Sequence, residues 1–175
     1  MFQKEIYINR RQELKKRIKS GVILILGNNE APMNYATNTY PFRQDSTFLY
    51  FFGLDLPGLA GVIDIDNDRE IIFGDDFSLE DIIWTGPQPS VSDNAQKAGI
   101  SITHPFDKLS ETLSEAIKKN RPVHFTPPYR HDNILLLAEL LNIHPRDVAL
   151  HVSNELIKAC IELRSIKEPC EIEEM

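Results

Sequence analysis

Hydrophobic positions along the chain fall into two patterns, short unbroken runs and pairs spaced by four. Leu14 and Ile18 lie four apart and predict a first helix. Asn9 is its expected N-cap, with Gln12 completing a capping box and Gly21 at the C′ position. Val22 to Leu26 reads as a strand buried on both faces, ended by the turn residues Gly27-Asn28-Asn29. A long polar loop is expected from Glu30 to Pro41, followed by a strand over Thr47 to Phe52 closed by Gly53. Beyond the Asp55-Leu56-Pro57-Gly58 turn, Leu59 to Ile65 and Glu70 to Phe73 predict a hairpin around Asp66-Asn67-Asp68-Arg69. Neighbouring strands on short connections imply an antiparallel part of a sheet.

After residue 75 strands and helices alternate. Ser78 can cap a short helix reaching Trp84, and Trp84-Thr85-Gly86-Pro87-Gln88-Pro89 breaks it. Ser92 opens a helix that stops at Gly99, and Ile100 to Thr103 is a strand. Phe106 to Lys119 is a helix, Val123 to Thr126 a strand, and Asp132 to Leu141 a leucine-rich helix. Two last helices cover Pro145 to His151 and Asn154 to Leu163. The expected fold is α/β, with a mixed, partly antiparallel sheet of about six strands and helices on both faces.

At 175 residues the chain is about one domain. Its net charge of −7 repels phosphate backbones and counts against nucleic-acid binding. No apolar run approaches the roughly 20 residues of a membrane span, and the N-terminus shows no apolar signal segment. A cytoplasmic setting with no membrane partner is therefore expected. The two cysteines, Cys160 and Cys170, suggest neither a disulfide framework nor a zinc site. Arg10, Arg11, Lys15, Lys16, Arg17 and Lys19 form a basic cluster, expected to be the solvated face of the first helix. Arg164 to Met175 opens a helical turn, with Pro169 in its first turn and acidic residues around it, but has no closing signal. Such a turn is expected where a longer polypeptide continues.

The segment Tyr40-Pro-Phe-Arg-Gln-Asp-Ser-Thr-Phe-Leu-Tyr-Phe-Phe-Gly53 is the most specific feature. It resembles the Phe-Arg-Gln-x-Ser-x-Phe-x-Tyr-x-x-Gly segment in the N-terminal domain of Xaa-Pro aminopeptidases, of the creatinase and prolidase group. Ile82-Ile83-Trp84-Thr85-Gly86 looks like that family's Ile-Trp-x-Gly segment. Leu163-Arg164-Ser165-Ile166-Lys167, with Glu171-Ile172 following, looks like its linker into the catalytic domain. Leu56, where the family often has an acidic residue, and Phe51-Phe52, where it often has Leu-Thr, are departures.

The resemblance implies a ribonuclease H-like N-terminal domain over residues 1–160 and the start of a linker helix over 161–175. It implies a parent peptidase that releases the residue before proline, using two divalent metals, commonly manganese. Their aspartate, histidine and glutamate ligands lie in a C-terminal catalytic domain, so no catalytic or metal-binding residue is assigned here and no cofactor is expected in this chain. The implied partners are that catalytic domain, proline-containing peptides and further copies of the chain. The implied role of the domain is oligomer contact and covering of the substrate pocket.

Trp84 is the candidate substrate-binding residue, because an indole offers a large face to a proline ring with few rotamers to freeze. An ordinary partly buried tryptophan is the plainer reading. Arg43, Gln44 and Asp45 need partners beside a buried run, and an Arg43–carboxylate pair fixing the long loop is expected. Asp64, Asp66 and Asp68 resemble a calcium loop or the paired carboxylates of a magnesium nuclease. Arg69 stands where that loop needs glycine, so a solvated hairpin turn is expected. His104, His124, His131, His144 and His151 are too scattered for a ligand set, and Ser46 lacks a nucleophile-elbow context. A stand-alone interaction domain of the same fold is the alternative function.

Overall fold

The computed structural model describes residues 1–174. Its main sheet has five strands in the order β6-β5-β4-β1-β7. These are β1 (Val22–Leu26), β4 (Ala60–Asp64), β5 (Arg69–Phe73), β6 (Ile102–His104) and β7 (Val123–His124). The centre, β1-β4-β5, is antiparallel, and the outer strands β6 and β7 pair parallel with β5 and β1. The mixed sheet agrees with the sequence reading, with five strands rather than about six.

Strand alternation divides the core in two. Ile23, Ile25, Ile63 and Ile72 face helices α1 (Lys4–Arg17), α2 (Ser46–Phe52), α4 (Val91–Lys97) and α7 (Asn154–Ser165). Val22, Leu24, Ala60, Val62, Ile71 and Phe73 face α5 (Lys108–Lys118), α6 (His131–Leu141) and a 3-10 turn over Pro145–Leu150. Both faces are therefore covered, and the central strands are near-continuously apolar for that reason.

Residues 46–52 form a helix, not the predicted strand. Asp45 accepts from the Thr47 and Phe48 amides at 2.8 and 2.9 Å, and Gly53 closes the helix with φ 66°. Phe48, Phe51 and Phe52 are all buried because α2 is wedged between α1 and the sheet. Gly61 makes room for this wedge: a Cβ there would stand 2.3 Å from the Phe52 ring.

The first helix begins at Lys4, so Asn9 is in its interior and caps nothing. The Phe2 amide donates to the Tyr7 hydroxyl at 3.0 Å, anchoring the earlier start. Gly21, with φ 99°, turns the chain into β1 instead of capping α1. The basic cluster is divided: Arg10 and Arg11 are buried, at 3 % and 0 % exposure. The loop from Glu30 to Pro41 contains a small hairpin, β2 (Pro32–Tyr35) with β3 (Asn38–Thr39).

After Phe73 the elements come in the predicted order, with α3 (Leu79–Thr85) capped by Ser78, but α4 is capped by Ser90 through a capping box with Asp93 and does not open at Ser92. The short helix α8 (Pro169–Glu173) follows α7. Among the described residues, no helix is long and apolar enough to cross a membrane.

Candidate functional site

The connection from β5 to parallel β6 carries two helices. α4 packs on the sheet through Ala95 and, at its C-cap, Ala98, as a crossover helix should. α3 does not, and it presents Leu79, Ile83 and Trp84 to solvent at 82 %, 79 % and 83 % exposure. The partly exposed Phe77 stands at its base.

Local hydrogen bonds hold α3 in place of core packing. Ser78 and Asp81 form a capping box: the Ser78 amide donates to Asp81 Oδ2 at 2.9 Å and the Asp81 amide to Ser78 Oγ at 3.2 Å. Hydrogen bonds from the Ser78 hydroxyl and amide hold the Asp81 carboxyl below its usual pKa. The Gly86 amide, at φ 75°, returns to the Ile82 carbonyl at 2.9 Å. Upstream, Asp75 accepts from the Phe106 amide at 3.0 Å and Asp76 from the Val91 amide at 2.6 Å. Both ends of the excursion are therefore fastened to the body.

Beside α3 lies a groove of about 320 Å³, with Leu56, Pro57, Phe77 and Val91 among its apolar lining and Glu30, Asp75, Asp76 and Asp81 as its acidic lining. Gln44 shapes its Leu56-Pro57 wall. The buried Gln44 amide donates to the Leu56 carbonyl at 2.6 Å and accepts from the Asn28 and Asp45 amides at 2.6 and 2.9 Å. Arg43 departs from expectation. Among the described residues its guanidinium has no carboxylate partner, and its carbonyl accepts from Asn28 Nδ2 at 2.8 Å. Gln44 therefore fixes the loop by satisfying backbone groups, and Asp45 serves as the α2 cap.

Asp66 and Asp68 lie in an exposed hairpin turn, as expected, and of the three aspartates only Asp64 is drawn into the body. Asp64 is buried and bound by Arg121, by Asn67 Nδ2 at 2.7 Å and by Arg69 at 3.5 Å. Asp66 accepts from Arg121 Nε at 2.5 Å and from the Gly21 amide at 3.1 Å. Burial pushes the Asp64 carboxyl up, but the hydrogen bonds from Arg121 and Asn67 outweigh it and hold it below its usual value. Carboxylates engaged in this way are poor candidates for a metal ligand set. His124 is held between Ser153 Oγ at 2.8 Å and the Ser20 carbonyl at 3.0 Å. Among the described residues, no group of three or more His, Cys, Asp or Glu could hold a metal ion.

Residues 7–124 match the family described as "Aminopeptidase P, N-terminal domain". The chain belongs to that family. Among its relatives, "Intermediate cleaving peptidase 55, mitochondrial" of Arabidopsis thaliana is 27 % identical over 172 residues, 98 % of this chain and 34 % of that protein. The "Probable Xaa-Pro aminopeptidase PEPP" of Sordaria macrospora is 28 % identical over 155 residues, 88 % of this chain and 26 % of that protein. The fold matches zinc-substituted Escherichia coli aminopeptidase P in complex with product, with TM-score 0.78 and 21 % identity. That match covers 98 % of this chain and 41 % of the solved one. The aminopeptidase P-type domain described here thus spans about a third or less of those two curated relatives.

Proposed function

We propose that this domain is the non-catalytic front part of an Xaa-Pro aminopeptidase and that it covers the peptide pocket with Trp84. The observation that carries the reading is α3: a short helix, capped at both ends, that holds an indole and two aliphatic side chains out in water. Large apolar side chains displayed together mark a contact surface. The relatives named as peptidases supply the class of the parent.

In this reading residues 1–160 are the domain and 161–175 begin the linker. The reacting groups, with two divalent metals, manganese by this reading, belong to a catalytic half of the same polypeptide. Ile161 on α7, Ile166 just after its end and Ile172 on α8, all exposed, are where that half docks. The parent is a cytoplasmic homo-oligomer, and α3 reaches the pocket of a neighbouring copy. Trp84 stacks on the substrate proline ring and contributes binding through the area it covers, not through proton transfer.

The test is to incubate the purified 175-residue chain with manganese and an Xaa-Pro-containing tripeptide. No release of the first residue is expected. Turnover that follows the chain through purification overturns the proposal. Peptide binding without turnover, unaffected by Trp84→Ala, moves the domain to the stand-alone interaction class.

A further inference from the structure

We propose that Arg10 and Tyr50 form a clamp that fixes the direction in which the backbone leaves the domain. The clamp gathers residues from both ends of the chain and from the aromatic motif. Arg10, on α1, is buried among three aromatic rings, with its guanidinium carbon 3.9 Å from the Tyr50 ring centroid, 5.3 Å from Phe2 and 5.9 Å from Tyr7. A desolvated guanidinium over an aromatic face is attracted by the ring quadrupole. Arg10 Nη1 donates to the Tyr50 carbonyl at 3.1 Å, tying α1 to α2.

The outer side of the same guanidinium faces the exit. Arg10 Nε donates to Glu168 Oε2 at 2.7 Å, Nη2 contacts the same oxygen, and Glu171 Oε1 stands 3.5 Å away. Tyr50 reaches the exit independently, its hydroxyl donating to the Leu163 carbonyl at 3.0 Å. Arg164 completes the contact, 5.7 Å from the Tyr50 centroid, with Nη1 donating to Thr47 Oγ1 at 3.3 Å. The aromatic motif and the Leu-Arg-x-Ile-Lys motif, more than 100 residues apart, therefore meet at one ring.

α8 has only five residues, and isolated helices shorter than about 12–15 residues are marginal in water because nucleation is costly. Its first turn is organised by the carboxylates that Arg10 holds: Glu171 Oε2 also accepts from the Glu168 amide at 3.0 Å. Arg10 thus acts as a positioning residue. Without it, α8 loses its main tether, and α7 ends in a free tail. If the domain is the front half of a peptidase, the clamp sets how that half meets the catalytic one. The clamp itself does not depend on that reading.

Limited trypsin digestion of the 175-residue chain tests it, because the clamped segment contains the cleavable bonds after Arg164 and Lys167. Arg10→Met is expected to raise the cleavage rate after Lys167 about tenfold, and Glu168→Gln, which alters the residue next to that bond, is read after Arg164 instead, where it should raise cleavage by releasing the population in which α8 is detached. Glu168→Gln leaves the core of α1 untouched, so it reports even if Arg10→Met folds poorly. Tyr50→Phe should raise cleavage after Arg164 while sparing sites in α5. Unchanged cleavage after Arg164 in Glu168→Gln overturns the clamp. So does an equal rise at every site, which would mean general destabilisation.

Discussion

Arg11→Met is the substitution whose cost the structure specifies most fully. The side chain is wholly buried and serves three elements at once. Its Nε donates to Glu70 Oε2 at 2.6 Å on β5, Nη1 to the Phe51 carbonyl at 2.8 Å on α2, and Nη2 to the Ala98 carbonyl at 2.8 Å at the end of α4. Burial pushes the guanidinium pKa down while Glu70 opposes the shift, and an arginine remains charged throughout. Methionine fills much of the volume but donates nothing. Glu70 keeps a counter-charge, since Lys15 Nζ stands 2.7 Å from Oε1, although that oxygen makes no directed hydrogen bond. The two carbonyls then dominate the loss, at roughly 1–3 kcal/mol for each buried group left unsatisfied. The sum is about 4 kcal/mol, the size expected for breaking a buried charge pair from one side. For a domain of this length, that lowers Tm by about 8–16 °C. Lys16, exposed on the same helix and paired among the described residues only with Glu13, gives the control: Lys16→Met should cost less than about 1 kcal/mol. Urea melts of both variants measure the difference. If Arg11→Met stays within 1 kcal/mol of Lys16→Met, the three-way bracing is wrong.

Asp45→Ala removes the α2 cap and should cost about 1 kcal/mol in the same urea melts. Gly61→Ala drives a methyl into the Phe52 ring and should cost about 1–3 kcal/mol, a loss that Phe52→Leu in the same chain should partly relieve. Asp64 has a folded pKa below its unfolded one, so its contribution is present above the ordinary carboxylate range and is lost as pH falls through the folded value; Asp64→Asn should flatten the stability profile below about pH 4. Cys160 is buried, and burial pushes its thiol up to about 11; a thiol reagent at pH 8 should therefore label Cys170 first and Cys160 only on unfolding.

The strands were the legible part of the sequence, because Val22 to Leu26 and the hairpin around Asp66 can be buried on two faces only as a sheet. The run at Phe48 to Phe52 was ambiguous for the same reason: a short helix buried on all sides shows no more periodicity than a central strand. Asp45, a good cap three residues before Phe48, was the signal that could have settled it. Arg10 and Arg11 were misjudged by charge, although Tyr7, Leu14 and Ile18 place both on the buried face, at intervals of three, four and eight from Arg10 and four, three and seven from Arg11. Their partners come from residues 51, 70, 98 and 168, a convergence visible only in three dimensions. The cap of α3 was readable at Ser78, and so was Trp84 as a candidate. The groove beside α3 was not, because Leu56, Phe77 and Val91 meet only through the sheet topology.

The central claim is that Trp84 works in binding and not in folding. The most direct measurement is the steady-state hydrolysis of an Xaa-Pro tripeptide by a polypeptide in which this domain precedes its catalytic half, with Trp84 and with Trp84→Ala. The side chain is 83 % exposed, so the substitution should leave Tm within about 2 °C. An indole covering about 100 Å² of substrate contributes about 2.5 kcal/mol, so KM should rise between tenfold and a hundredfold. Unchanged KM and kcat in Trp84→Ala would contradict the claim and leave α3 as a surface with some other partner.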